Sequence, residues 1–156
     1  MFTIYINMNN WFFFVLPIIS VYITSYFFPV NDAGNNVSFR PPGYVFAIVW
    51  PILLVLIGTS WLKINNRNNK LSFLEKLNKV YINKFYFFIV ILLSSWSMLY
   101  SFSRVYGLIV IVFTIIASIF TIYYNYNNNY KYSAYLLIPL VLWLLFASLL
   151  NIASIS

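Results

Sequence analysis

The chain has 156 residues, of which 63% are apolar, 22% aromatic and only 7% charged, with a net charge of +7 and a mean hydropathy of +0.86. A soluble domain carries about a quarter charged residues, so there are too few polar side chains here to wet a surface, and the remaining surface must face lipid. The lack of cysteine and histidine excludes disulfide scaffolds, thiolate or imidazole metal sites and histidine-based triads, and with Asp32 and Glu75 the only acids, one copy of the chain builds neither a carboxylate pair for glycoside hydrolysis nor a hard-cation cage.

Five stretches reach the roughly 20 mostly apolar residues that a membrane-crossing helix needs: residues 11–29, 44–62, 81–102, 105–124 and 133–155. They are continuous and do not alternate over ten residues at a time, which predicts an all-α membrane protein, a five-transmembrane-helix bundle forming one domain over residues 1–156, in preference to a β-barrel. The first stretch has a signal peptide as its alternative reading. Against that stand its length, the missing basic segment before it, and its end at Phe28-Pro29 with no small-residue cleavage site.

Ahead of the second stretch stands Arg40-Pro41-Pro42-Gly43. Two prolines there stop the loop and launch the helix, because each lacks a donor that the first turn cannot satisfy anyway. Phe46 and Trp50 then share one helix face, and Pro51 removes a backbone bond near Ala47, where the indole projects. Together they can shape a pocket; the other reading is a lipid-facing aromatic belt.

Between the second and third stretches lie Lys63, Arg67, Lys70, Lys76, Lys79 and Lys84. Ser72 with Glu75 three residues later reads as a capping box, and Leu74, Leu77 and Tyr81 follow at helical spacing, so the third helix is expected to begin near Ser72. Its first turns would lie among lipid headgroups with their lysines reaching for phosphate, a use of the basic charge that ranks above nucleic-acid binding. The asparagine runs at 65–69 and 127–129 read as loop filler. Five crossings put seven basic residues on the side of the N-terminus, the loop 63–84 and Lys131, against Arg40 and Arg104 on the other, which predicts a cytosolic N-terminus and basic loop.

On the third helix Trp96 and Tyr100 share a face beside Ser94, Ser97 and Ser101, a small polar stripe suited to close helix contact. A serine nucleophile is excluded, since no histidine, lysine or carboxylate stands mid-span to activate it. The fifth helix offers Pro139, Trp143, Phe146, Ala147 and Asn151. The Asn151 amide has two readings, a ligand bond or a bond to another helix.

These residues resemble the translocator protein family, also called TspO or tryptophan-rich sensory proteins and formerly peripheral-type benzodiazepine receptors. The resemblance rests on Pro41-Pro42, Tyr44-Val45-Phe46, Trp50 and Gly58; on Trp96, Tyr100, Arg104 and Gly107; and on Pro139, Trp143, Phe146-Ala147 and Leu150-Asn151. It implies a five-helix bundle, commonly homodimeric, whose pocket opens toward the first loop and takes porphyrins, sterols and benzodiazepine-type or isoquinoline drugs. It implies pocket positions for Pro42, Phe46, Trp50, Trp143 and Phe146, with Trp50 and Trp143 matching the tryptophans tied to tetrapyrrole breakdown in bacterial members. The chain departs from the family pattern in its first loop, poorer in tryptophan, and at Val112, where an aspartate is usual.

A porphyrin is a broad apolar plate with two propionates at one edge, so it should enter an aromatic pocket plate first and leave its carboxylates at the rim. Arg40 and Arg104 are the candidate rim cations, with snorkelling or topology as their other reading. Without histidine or cysteine the protein cannot ligate haem iron by those groups, and nothing supports Met98, so the porphyrin is a ligand and no cofactor or metal is expected. Binding of a tetrapyrrole or similar planar ligand, with a transport or sensing role, is the leading expectation. A tetrapyrrole-degrading enzyme is the first alternative. An unrelated solute transporter is the second, weakened because every Lys, Arg, Asp and Glu falls at or beyond a span end.

Overall fold

The computed structural model describes residues 10–30, 33–66 and 72–155. These form five helices and no strand: α1 Trp11–Phe27, α2 Gly43–Asn65, α3 Phe73–Phe102, α4 Arg104–Asn127 and α5 Lys131–Ile155. Helices α2 to α5 are each long and apolar enough to cross a membrane, and α1 is a shorter apolar helix of 17 residues. Their outer faces carry exposed Ile52, Phe88, Ile91, Phe113, Leu142 and Leu149, the surface that lipid covers.

The helix ends follow local chemistry. α1 stops at Phe27, short of residue 29, because a residue before proline is pushed out of the helical region, and Phe28 sits at φ −126° and ψ 72°. α3 starts well before residue 81. The Glu75 amide donates to Ser72 Oγ at 3.3 Å and the Ser72 amide donates to Glu75 Oε2 at 2.8 Å, so the capping box is formed and holds the first turn without help from neighbours. A single extended residue, Ser103, joins α3 to α4; its Oγ accepts from the Val105 amide at 3.2 Å. Asn129 adopts a left-handed conformation, φ 63°, in the turn before α5, which asparagine tolerates better than most residues.

α1 packs on α2 and α3, α2 on α5, α5 on α4 and α4 on α3, closing a ring. Gly58 lets α1 and α2 touch: a β-carbon there would stand 2.4 Å from the Phe14 carbonyl oxygen, so only hydrogen permits this approach of two backbones.

At the lysine end the ring is packed solid. Trp61, fully buried, stacks on Tyr86 and meets Phe13 at 5.1 Å and Phe87 at 4.7 Å. Beside it the Tyr86 hydroxyl and Ser60 Oγ are 2.5 Å apart, Asn125 Nδ2 donates to Tyr86 at 2.9 Å, and Ser60 and Ser133 donate to each other's carbonyls at 2.7 and 3.1 Å. Each donor in this cluster finds an acceptor, and Asn125 Oδ1 is the member left without a partner among the described residues.

The asparagine run is not all filler. Asn65 ends α2, is 7% exposed, exchanges hydrogen bonds with Asn83 at 2.9 and 3.1 Å, and donates to the Trp61 carbonyl. Its carbonyl accepts from Lys79 Nζ at 3.2 Å, and Asn128 accepts from Asn78 at 2.6 Å. A carboxamide carries donors and an acceptor together, so it can be satisfied inside a bundle where a charge cannot. Residues 1–9, Asp32, Arg67, Asn68, Asn69 and Lys70 lie outside the described residues.

Candidate functional site

The half of the bundle nearest the first loop is hollow. A chamber of about 480 Å³ lies between the helices, within the roughly 300–1,000 Å³ usual for small-molecule sites. All five helices line it, each through one stripe. α2 contributes Gly43, Phe46, Ala47, Trp50, Pro51 and Leu54; α3 contributes Leu93, Trp96, Ser97 and Tyr100; α5 contributes Trp143, Leu144, Ala147, Leu150 and Asn151. Spacings of three and four residues put each set on one helix face.

Of the residues singled out from the sequence, Phe46, Trp50, Trp96, Tyr100, Trp143, Asn151 and Arg40 meet on this wall. The Phe46 ring lies edge-on to Trp143 at 5.6 Å, and Trp96 lies 5.2 Å from Tyr100. Two fall elsewhere. Phe146 packs against Trp143 at 5.5 Å but is off the wall, because at about 100° per residue it turns away from the stripe that Trp143 and Ala147 share. Pro42 is the exposed N-cap of α2, and the wall begins one residue later at Gly43. Arg104 is outside the chamber: it lines a smaller recess at the α3–α4 joint, and its Nη1 donates to the Ser154 carbonyl oxygen.

The wall is apolar with polar atoms held in reserve. The indole nitrogens of Trp96 and Trp143, Ser97 Oγ and both amide atoms of Asn151 are buried and have no hydrogen-bond partner among the described residues. A buried polar group left unpaired costs about 1–3 kcal/mol, and such groups on a cavity wall are the ones a guest can satisfy. Residue spacing assigns Ser97 to helix contact; the tertiary arrangement puts it on the chamber.

The first loop closes one end. Ala33 and Arg40 line the chamber there; Arg40 Nε donates to the Ala33 carbonyl at 2.6 Å, and its guanidinium lies 5.4 Å from the centre of the Phe46 ring. Gly34, at φ +72°, seats the loop on α5, where a β-carbon would fall 2.1 Å from Leu150 Cδ2. Among the described residues, Arg40 is the one charged residue on the wall. Among the described residues no three His, Cys, Asp or Glu side chains gather to hold a metal.

Sequence reasoning missed the contributions of α1 and α4. Val21, Tyr22 and Ser25 line the chamber from α1, and Val110, Ile111 and Thr114 from α4. A valine facing an internal cavity and one facing lipid carry the same signal, so only the hydroxyl-bearing Tyr22, Ser25 and Thr114 offered a hint.

The fold and the site define a polytopic α-helical membrane protein built around an internal aromatic chamber. Residues 12–155 match the sequence model of the TspO/MBR family. The chain is also 31% identical over 139 residues to the tryptophan-rich protein TspO of Bacillus cereus, covering 83% of this chain and 84% of that relative. It belongs to the TspO/MBR family.

Proposed function

We propose that the chamber binds tetrapyrroles of the protoporphyrin type, or other flat apolar ligands, and that a sensing or transport role rests on this binding. The observation that supports it is the wall: three indoles, Trp50, Trp96 and Trp143, around one cavity of about 480 Å³, two of them with unsatisfied N–H groups. Indole faces bury a conjugated plate and their N–H groups bond its heteroatoms. Arg40, at the loop end, stands where a propionate would emerge.

The test is a titration of the purified protein with protoporphyrin IX, haem and cholesterol, read by tryptophan quenching. Protoporphyrin is expected to saturate at one per chain, and Trp143→Phe, which removes the N–H and keeps an aromatic ring, to weaken it about 2–10-fold, the worth of one neutral hydrogen bond. Wild-type protein whose fluorescence is untouched by protoporphyrin refutes the reading.

We also propose that the lysine end faces the cytosol and the chamber's loop end the opposite side. Lys63, Lys76, Lys79, Lys84 and Lys131 stand at the α2–α3 and α4–α5 ends of the bundle, while Arg40 and Arg104 stand at the other, the asymmetry expected of inserted helices.

A further inference from the structure

The recess at the α3–α4 joint is a second cavity, of about 340 Å³, lined by Ser101, Ser103 and Arg104 with Pro29, Val30 and Phe102. It adjoins the main chamber: Pro29, Val30 and Tyr100 belong to both walls. The wall residues are polar where those of the chamber are apolar, and the charge among them is positive.

Three features converge there. Arg104 is held by one nitrogen, Nη1, on the Ser154 carbonyl oxygen, which orients the guanidinium and leaves its other N–H groups without a partner among the described residues. Ser103 caps α4 by accepting from the Val105 amide, so its own O–H remains a donor, at the N-terminus of a 24-residue helix whose dipole favours negative charge. Tyr100 is the independent observation. It is 8% exposed, it lies on both cavities, and its hydroxyl has no hydrogen-bond partner among the described residues. A phenol on a cavity wall, with no acceptor among the described residues, can give its O–H to an acceptor brought by a guest.

We infer that this recess is a carboxylate subsite for the chamber's ligand: the plate lies among the indoles and an anionic side arm passes Tyr100 to reach Arg104 and Ser103. The inference deepens the proposed function and rests on it. It narrows the ligand class from flat apolar molecules in general to flat molecules with a flexible acidic arm, and it disfavours sterols and neutral drugs. Tyr100 donates to one carboxylate oxygen at the threshold between the cavities, and the guanidinium, restrained by Ser154, presents its remaining donors to the other.

The experiment compares protoporphyrin IX with its dimethyl ester, which keeps the plate and removes both charges. Each is titrated by tryptophan quenching into the full chain in neutral-detergent micelles. Wild-type protein is expected to bind the diacid at least 10-fold more tightly than the diester. Arg104→Gln should weaken the diacid about 10-fold or more and leave the diester unchanged, as expected for loss of a charge-assisted bond. Tyr100→Phe, which keeps the ring and the packing, should lower diacid affinity several-fold with the same selectivity. Equal wild-type affinity for the two probes overturns the subsite while the chamber reading stands. So does a parallel loss of both probes in Arg104→Gln together with an unchanged diacid in Tyr100→Phe, which would make Arg104 a structural tie. Binding of neither probe to wild-type protein removes the chamber reading and the subsite with it.

Discussion

Trp61 lies nearly parallel to Tyr86, with ring centroids 5.4 Å apart and 13° between their planes, and its Nε1 donates to Asn83 at 2.7 Å. This pair separates the two halves of the bundle: a packed, hydrogen-bonded base at the lysine end and an open chamber beyond it. Tryptophans in the two halves therefore have different roles, and substitution should distinguish them. Trp61→Ala empties a filled core and is expected to cost about 3–5 kcal/mol. Trp143→Ala enlarges an existing cavity and should cost less, its main effect falling on ligand affinity. Thermal unfolding in detergent, with ligand titration beside it, checks the split. A smaller loss of melting temperature for Trp61→Ala than for Trp143→Ala contradicts it.

Asn151 is 2% exposed, and both atoms of its amide lack partners among the described residues. Asn151→Leu keeps the branching of the side chain, grows only toward an open chamber and removes two unsatisfied groups, so the empty protein should become more stable by about 1–3 kcal/mol. If the amide serves the ligand, affinity for protoporphyrin falls in the same variant. A raised melting temperature with unchanged affinity would assign Asn151 to packing alone.

Two glycines on α2 make a matched pair. At Gly58 a methyl group meets the Phe14 carbonyl at 2.4 Å, whereas at Gly43 it meets nothing within 4 Å. Gly58→Ala is expected to push α1 away and destabilise by about 1–3 kcal/mol, while Gly43→Ala is neutral or slightly stabilising. Melting temperatures of the two variants, measured side by side, decide the matter.

The first turn of α3 has little tertiary support: Phe73 and Leu74 are 79% and 68% exposed. Its order depends on the cap, so Ser72→Ala should cost about 1 kcal/mol, felt as faster hydrogen exchange of the amides from Phe73 to Leu77 and little change in global melting. Slow exchange in the variant would mean that lipid or a neighbouring chain holds this turn.

Because the chain has no cysteine, single cysteines report topology directly. In intact cells or right-side-out vesicles, a membrane-impermeant maleimide should label Phe39→Cys in the first loop and should label Lys76→Cys only after permeabilisation. The reverse pattern inverts the proposed orientation.

The aromatic stripes show how far residue spacing carries an argument. Phe46 and Trp50 lie four apart, as do Trp96 and Tyr100, and helix geometry alone places each pair on one face. Hydropathy determined the five helices, and Ser72 with Glu75 determined where α3 begins, since caps are local chemistry between residues three apart. What spacing could not supply was the direction of each face. In lipid an outward-facing aromatic and a cavity-facing one are equally tolerated, because both surroundings are apolar.

The composition, the helix count and the cap of α3 were thus decided by the sequence itself, through transfer free energy and contacts within one turn. The ring order of the helices, the solid base around Trp61, the placement of Phe146 behind Trp143, and the meeting of Tyr100 with two cavities were decided only by tertiary packing. The reason is physical: solvent no longer distinguishes inside from outside once lipid replaces water, so the inward face of each helix is chosen by shape, by close approaches such as Gly58 on Phe14, and by hydrogen bonds such as Ser60 to Ser133 across positions far apart in the chain.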